Sequence, residues 1–188
     1  TYVQSCRYCQ VHKVHCQRTP VPIQSYGSPS HPWEVVHIDL TGPLPLTRSG
    51  NRYICVMKCA LTRAIEVVAI PTKDAVHVAR AIVDRLYFRH GCPRLVFSDQ
   101  GTEFMNKTFK LVNALFQIKH VRTTPGNPRS NGLVENHNKI LKDQLSLFTS
   151  ARQDDWDLYL QAAAFAYMTT VNSQTGLTPF FMLYGRHA

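Results

Sequence analysis

The chain has 188 residues, 44% of them hydrophobic, which suits one α/β domain with a small appendage. Lysine and arginine total 21 against 12 acidic residues, and the net charge of +9 favours a polyanionic partner, nucleic acid before a membrane surface. The alternative is a basic protein without a specific partner. No run of about 18 apolar residues occurs, so we expect no membrane span.

Cysteine usage and the first residues indicate where the protein works. Six cysteines are too few for a disulfide scaffold in a chain of this length. Cys55, Cys59 and Cys92 lie in or beside apolar segments, so we expect reduced core thiols and an intracellular protein. The first residues lack the apolar region of a signal peptide. Because the chain opens on Thr1, we expect a piece of a longer polyprotein.

The first half of the chain predicts three strands and a helix. Residues 33–40, 52–61 and 64–71 are rich in β-forming side chains, and turn residues separate them, so we expect three successive antiparallel strands. The next helix is predicted over residues 72–91, with apolar residues at helical spacing and Gly91 at the C-terminal cap.

The second half alternates strands with helices. It predicts a strand (94–98), a helix (106–117), a short strand (119–124), a loop (125–132) and two helices (133–148 and 154–174). Three hairpin strands followed by this alternation predict an α/β fold, a mixed sheet with helices on its faces. We interpret Trp33, Trp156 and His37 as packing residues and Gly101 as the residue that permits the turn after Asp99.

Three acidic residues occupy the ends of separate elements. Asp39 ends the first strand, Asp99 ends the fourth, and Glu135 begins the helix over residues 133–148. Carboxylates brought together repel unless a cation neutralises them, and hard oxygen ligands with open positions suit Mg²⁺ or Mn²⁺. Two such ions about 3.5–4 Å apart can activate an attacking oxygen and stabilise a leaving one in phosphoryl displacement.

The face of the helix that carries Glu135 has two interpretations. Glu135, Asn138, Lys139 and Lys142 share one stripe. The carboxylate could bind a metal while the amide and ammonium groups follow a phosphate backbone. Alternatively, the stripe is a solvated face with local Glu–Lys pairing.

Four ordered motifs carry a family resemblance. Asp39 in "VVHIDLTGPLP", Asp99 in "FSDQGTEF" and Glu135 in "SNGLVENHNKIL" resemble the acidic triad of the retroviral and retrotransposon integrase core. The last two acids have 35 residues between them, which is the family's spacing. "TGLTPFFMLYGR", residues 175–186, resembles the segment that closes this core in gypsy-type elements.

The resemblance implies a fold, an activity and partners. The fold is ribonuclease H-like, with a central five-stranded mixed sheet flanked by helices. Asp39, Asp99 and Glu135 become catalytic residues that hold two Mg²⁺ or Mn²⁺ ions. The activity is 3′-end processing and strand transfer of retroelement DNA into target DNA, with endonuclease character and no covalent enzyme intermediate. The partners are the retroelement DNA, the target DNA and further copies of the chain, in a dimer or tetramer, with no membrane. We expect the protein in the nucleus, with a cytoplasmic virus-like-particle stage if it is part of an active element.

The resemblance also divides the chain into domains. Residues 1–19 correspond to the C-terminal part of an integrase zinc-binding domain, residues 20–32 to a linker, and residues 33–188 to the catalytic core. Cys6 and Cys9 supply two of the four ligands that a structural zinc site requires, and in the family an upstream histidine pair supplies the others. We expect zinc in the parent protein and poor zinc binding by this chain. The alternative is two free thiols in an arm.

Several polar residues are candidates for DNA contacts. Arg129, Ser130 and Asn131 match the family loop that contacts DNA near the active site, and Asn138, Lys139 and Lys142 lie on the Glu135 face. Lys107, Lys110 and Arg122 could extend a basic track, or could act only as solubilising charges. The sequences around residues 127–129 and 136–138 depart from the family pattern, which leaves DNA affinity and target preference open.

Two other functions remain in view. One is a host-domesticated, integrase-derived protein that binds DNA without catalysis, although the loss of a triad acid that usually marks such proteins is not seen here. The other is a cut-and-paste transposase or another ribonuclease H-like nuclease with the same two-metal chemistry. The Cys-x₂-Cys head and the segment over residues 175–186 favour the integrase over this last alternative.

Overall fold

The computed structural model describes residues 5–7, 27–122, 145–146, 149 and 153–188. Five strands in this part form one sheet in the order β3-β2-β1-β4-β5. They are β1 (Val35–Thr41), β2 (Tyr53–Cys59), β3 (Ile65–Ile70), β4 (Leu95–Ser98) and β5 (Lys119–Arg122). β1, β2 and β3 pair antiparallel, whereas β4 pairs parallel with both β1 and β5. The predicted five-stranded mixed sheet is confirmed.

Helices follow the strands in the expected order. They are α1 (Ala75–Ile82), a π-helical segment (Val83–Tyr87), α2 (Phe88–His90), α3 (Thr102–Met105), α4 (Lys107–Leu115), α5 (Trp156–Thr169) and α6 (Pro179–Tyr184). The sequence did not predict α3, α6 or the π-helical segment. Of the helices in the described ranges, none has the length and apolarity to cross a membrane.

The first strand begins later than predicted. Trp33 has a positive φ of 63°, which turns the chain before β1 starts at Val35. Its side chain is buried, as expected of a packing residue, and its ring stacks on His90 at 4.4 Å between centroids. The Trp33 N–H donates to Cys59 Sγ at 3.2 Å. These contacts join the start of β1 to the end of β2.

The predicted helix over residues 72–91 is confirmed, but it begins three residues later and contains a π-helical segment in its middle. Asp74 is extended, with φ −61° and ψ 142°, so α1 begins at the next residue. Gly91, with φ 86°, ends the helical stretch as the C-terminal cap. Glu66 of β3 fixes this end of the helix, because its carboxylate lies 3.1 Å from Arg89 Nη1 and 2.9 Å from His90 Nε2.

Side chains alternate between the two faces of the sheet. The face that α1, α2 and α4 cover carries Val36, Ile38, Cys55, Met57, Glu66, Val96 and Ser98. We call the opposite face the Asp39 face; it carries Val35, His37 and Asp39 of β1, Val56 and Lys58 of β2, and Leu95 and Phe97 of β4. α5 lies along the outer strand β3, where Gln161 Nε2 donates to the Val67 carbonyl at 3.0 Å.

The loop between β1 and β2 is tied to the start of α5. Thr47 Oγ1 and Asn51 Nδ2 both donate to Asp157 Oδ2 at 2.9 Å. Trp156 is buried, as predicted, and its Nε1–H donates to the Pro45 carbonyl at 2.8 Å. Burial alone would raise the pKa of Asp157, but these hydrogen bonds outweigh it and lower the pKa. The loop that leaves the Asp39 strand is therefore held by residues more than 100 positions away.

We expect Asp157→Ala to lower the free energy of unfolding by about 2 kcal/mol, because two hydrogen bonds to a charged acceptor are lost. Urea unfolding at pH 7 measures the loss. The matched control is Asp84→Ala, since Asp84 is exposed and pairs with Arg80 only across one helical turn at 3.5 Å. An equal loss of unfolding free energy in both variants would contradict the stabilising role of the two hydrogen bonds to Asp157.

The last predicted helix, over residues 154–174, ends earlier than expected. Thr169 Oγ1 donates to the Phe165 carbonyl at 3.0 Å, and Thr170 Oγ1 donates to the Ala166 carbonyl at 2.7 Å. Such bonds offer the backbone carbonyls an alternative to the helical N–H groups. Thr170 is already extended, with ψ 138°.

The cysteines of the described part are free thiols. Cys55 and Cys59 are buried, which confirms the expectation of core thiols, and burial raises the pKa of Cys55 to about 12. The expectation is wrong for Cys92, which is exposed because it lies in the loop after Gly91 and before β4. Cys6 is half-buried, and Cys9 lies outside the described residues, so the zinc prediction and the domain boundaries stay predictions.

Candidate active site

The register between β1 and β4 brings two of the predicted acids together. The parallel pairs are Val35↔Leu95, Val36↔Val96 and His37↔Phe97. The paired ladder ends at His37 and Phe97, and Asp39 and Asp99 each follow two residues later along their own segments. Neighbouring strands lie about 4.8 Å apart, and residues at the same level point to the same face. Asp99 follows the carboxyl end of β4, and Asp39 lies in the last half of β1. The prediction that Asp39 ends its strand is wrong, because β1 continues to Thr41 through its pairing with β2. Open α/β sheets keep their ligand sites at this end of their strands.

His37 and Phe97 form the next level below the two acids on the Asp39 face. Their rings stack with centroids 5.0 Å apart and an interplanar angle of 15°. Burial, together with Lys58 and Arg63, lowers the pKa of His37 to about 4, so the ring is neutral at physiological pH. His37 packs against Phe97 as predicted, but it is only half-buried, and it lies on the same face of β1 as Asp39.

Asp99 follows the last residue of β4 and is exposed. Its Oδ1 accepts a hydrogen bond from the Gly101 N–H at 3.0 Å, which closes a tight turn. A Cβ on Gly101 would lie 2.6 Å from Glu103 Oε1 and 3.0 Å from Asp99 Oδ1. Both atoms are ends of side chains that can move, and Gly101 has a φ of −53°, which any residue adopts, so the turn does not depend on a glycine here. Glu103 adds an acidic side chain beside Asp99 that the sequence analysis did not single out.

Two basic side chains near the Asp39 face were also missed. Lys58 pairs with His37 across β1 and β2 and is only 3% exposed. Among the described residues its Nζ has no hydrogen-bond partner, and neither has the buried Nε of Arg63. Burial and the nearby Arg63 lower the pKa of Lys58 to about 7. A lysine in a strand is predicted to be exposed from sequence alone, so no sequence pattern indicated that Lys58 is buried.

Many of the predicted site residues lie outside the described part of the chain. They are Cys9, Arg129, Ser130, Asn131, Glu135, Asn138, Lys139 and Lys142. Within the ranges that the structure covers, no group of three His, Cys, Asp or Glu side chains could hold a metal ion. The structure thus puts Asp39 and Asp99 on neighbouring segments of the chain at one end of the sheet, and the metal-binding role of all three acids stays a prediction.

The expected basic track is partly visible beyond the acids. Lys107 and Lys110 are exposed on α4, and Arg122 is exposed at the end of β5. Arg122 Nη1 lies 3.4 Å from Met105 Sδ on α3. Because β5 pairs parallel with β4, Arg122 stands level with Ser98, one residue before Asp99. Arg122 therefore lies at the same end of the sheet as Asp99 but on the face opposite Asp39, and a role of these basic residues in DNA contact stays a prediction.

Comparison with known proteins decides which family this arrangement represents. The family described as integrase core domain matches residues 29–128 of the chain. The chain belongs to this family. The matched residues include β1 through β5, and with them both Asp39 and Asp99.

Two relatives extend the match towards the ends of this integrase core. The retrovirus-related Pol polyprotein from transposon 412 of Drosophila melanogaster is 29% identical over 168 residues, which are 89% of this chain and 13% of that protein. The human gypsy retrotransposon integrase-like protein 1 is 28% identical over 188 residues, 99% of this chain and 35% of that protein. The chain thus spans about a third or less of these relatives.

Solved structures confirm the ribonuclease H-like integrase fold. The catalytic core of BIV integrase has a TM-score of 0.64 at 24% identity and covers 81% of this chain and 95% of its own. The HTLV-2 integrase core in complex with magnesium, a trimeric form, has a TM-score of 0.65 at 18% identity. The match covers 82% of this chain and 99% of that core. A simian T-cell lymphotropic virus intasome in complex with a PP2A regulatory subunit has a TM-score of 0.75 at 20% identity. The match covers 97% of this chain and 64% of the intasome chain.

Proposed function

We propose that this integrase core is a polynucleotidyl transferase that performs 3′-end processing and strand transfer of retroelement DNA into target DNA. The observation that carries the proposal is the parallel register of β1 and β4, which makes Asp39 and Asp99 neighbours at one edge of the sheet. Family membership supports the same class of activity. In the proposed reactions the nucleophile is water first and the 3′-hydroxyl of the DNA second.

The donor chemistry of the site fits divalent ions. Asp39 and Asp99 offer carboxylate oxygens at one end of the sheet, and such oxygens suit Mg²⁺ or Mn²⁺. We propose that Glu135 completes the set and that the three side chains hold two ions. When bound, the ions would supply charge stabilisation for the attacking and leaving oxygens of the phosphate. A relative's structure in complex with magnesium supports this choice.

The protein's own residues position the DNA and the carboxylates in this proposal. The Gly101 N–H holds one oxygen of Asp99, and the stacked rings of His37 and Phe97 lie one pair of residues earlier on the same two strands. Arg122 offers a cation at the same end of the sheet, on the face opposite Asp39. We propose that Arg129, Ser130, Asn131, Asn138, Lys139 and Lys142 contact DNA as well. Phosphate contacts of this kind give affinity and register, and make binding dependent on salt.

The proposal for the full-length protein goes further. We propose that it assembles as a dimer or tetramer on DNA in the nucleus, and that Cys6 and Cys9 form half of a zinc site in the parent protein. The intasome among the structural neighbours supports assembly. Because this chain spans a third or less of its relatives, each of these points concerns the whole protein and stays a proposal.

A disintegration assay tests the function on a branched DNA substrate with Mn²⁺, since this reverse reaction requires least from segments outside the core. We expect activity in the wild type and its loss in Glu135→Gln, because the amide removes one anionic ligand at almost unchanged size. The matched control is Glu34→Gln, since Glu34 pairs with Arg94 at 2.7 Å before β1 and is distant from the acids along the strand.

The outcomes separate the candidate functions. Activity that Glu135→Gln abolishes and Glu34→Gln retains supports the transferase. A folded wild type that binds Mn²⁺ and DNA but has no activity would instead support the domesticated DNA-binding protein. The relatives include both a transposon polyprotein and a human integrase-like protein, so this assay, and not the comparisons, distinguishes the two candidates.

A further inference from the structure

Ser98 connects the carboxylate-bearing end of β4 to the neighbouring strand. It is the last residue of β4 and is 2% exposed, on the face opposite Asp39. Its Oγ lies 2.9 Å from the carbonyl oxygen of Asp99 and 2.8 Å from Nε2 of His120. A carbonyl can only accept, so the serine hydroxyl donates to Asp99. The serine oxygen is then left to accept from His120, which must carry its proton on Nε2.

His120 is held in the orientation that this hydrogen bond requires. It pairs with Val96 across β4 and β5, so it shares a face with Ser98. Phe109, fully buried on α4, packs edge-on against the imidazole, with centroids 5.1 Å apart at 83°. Burial, with Arg122 and Lys110 nearby, lowers the pKa of His120, so the ring is neutral and carries a single N–H.

Asp99 needs such support because the sheet does not hold it. β4 ends at Ser98, and the ladder between β4 and β5 ends at the pair Ser98↔Arg122. Beyond that pair, the direction of the Asp99 backbone depends on local hydrogen bonds. The structure shows one at the carboxylate, from the Gly101 N–H, and one at the carbonyl, from Ser98. One hydrogen bond thus holds the side chain of Asp99, and the other holds its backbone carbonyl.

We propose that Ser98 and His120 are positioning residues, a relay from β5 that fixes the Asp99 peptide and thereby points the Asp99 carboxylate towards Asp39. The relay touches neither DNA nor metal. It deepens the proposed function and rests on it, since its purpose is a correctly placed metal ligand. Mutation of a residue that hydrogen-bonds to a metal ligand typically lowers metal affinity by about 10–100-fold.

The test uses the full chain and two pairs of variants. Ser98→Ala removes the hydroxyl, and Ser98→Thr keeps it. His120→Leu removes the donor, and His120→Gln keeps an Nε2–H that can donate. The first readout is Mn²⁺ affinity, from the free-ion EPR signal; the second is the position and hydrogen exchange of the Gly101 amide in NMR spectra, which reports on Asp99 without metal or activity. Thermal unfolding shows that each variant folds.

We expect Ser98→Ala and His120→Leu to weaken Mn²⁺ binding about tenfold or more and to shift the Gly101 amide, while Ser98→Thr and His120→Gln stay close to the wild type. A Gly101 amide that is unchanged in a folded Ser98→Ala, or that shifts equally in Ser98→Ala and Ser98→Thr, overturns the proposal. If either serine variant fails to fold, the histidine pair decides on the same criteria. A wild type that binds no Mn²⁺ contradicts the proposed function, whereas the Gly101 amide still decides the relay.

Discussion

Asp99→Asn will abolish Mn²⁺-dependent DNA cleavage and joining without lowering the stability of the metal-free protein. The loss should reach about a thousandfold or more, because charge stabilisation by a bound ion contributes several kcal/mol. Metal-free stability should be equal or higher, since Asp39 and Asp99 lie on neighbouring segments at one end of the sheet and like charges brought together repel. Asparagine also keeps an oxygen that can accept from the Gly101 N–H.

The same variant has a second, independent readout. A ligand that binds only the folded state stabilises it by about 2.7 kcal/mol at one hundred times its dissociation constant. Mn²⁺ should therefore raise the unfolding temperature of the wild type but not that of Asp99→Asn. Asp84→Asn, at an exposed acid of the π-helical segment, is the control and should keep both the activity and the Mn²⁺ effect. Retention of either property in Asp99→Asn would contradict the assignment of Asp99 as a ligand.

Lys58→Met will stabilise the protein by about 2–4 kcal/mol at pH 7. Lys58 is 3% exposed, its Nζ has no hydrogen-bond partner among the described residues, and the nearby Arg63 carries a charge of the same sign. Removing one buried charge that lacks compensation takes away a desolvation cost of several kcal/mol. Methionine retains most of the lysine stem and fits an apolar site. Chemical denaturation measures the gain.

The pH dependence of stability distinguishes this cause from improved packing. Burial, with Arg63 nearby, lowers the pKa of Lys58 to about 7 in the folded state from 10.5, while the thiol of Cys59 acts weakly in the other direction. Between these values the unfolded chain binds more protons, so wild-type stability should rise with pH from 7 towards 10.5. Lys58→Met should lack this rise, and its advantage should shrink by pH 9.5.

Lys73→Met is the matched control for Lys58→Met. Lys73 is exposed in the segment before α1, so its replacement should change the free energy of unfolding by less than about 0.5 kcal/mol at either pH. If Lys58→Met destabilised the protein as much as the loss of a paired buried charge does, about 3–5 kcal/mol, an anionic partner for Lys58 would have to exist.

Local patterns predicted most elements of this fold because their signals lie within a few residues. The strands over Tyr53–Cys59, Ile65–Ile70 and Leu95–Ser98 match apolar, β-branched runs, and Asn106 marks the start of α4 by accepting from the Phe109 N–H at 3.1 Å. The helix Pro179–Tyr184 was missed although Thr178 and Gly185 cap it, since six residues show too little periodicity.

The amino-acid sequence by itself predicted Asp39, Asp99 and Glu135 as the acids of the site, because the motifs around them and the spacing between the last two are local or countable along the chain. Only the tertiary structure decided that β1 and β4 pair in the register that makes Asp39 and Asp99 neighbours. It also decided that Lys58 is buried beside His37 and that Ser98 bonds to His120. Strand pairing joins residues 60 positions apart, and burial depends on what packs above a residue; neither is encoded in any short window of sequence.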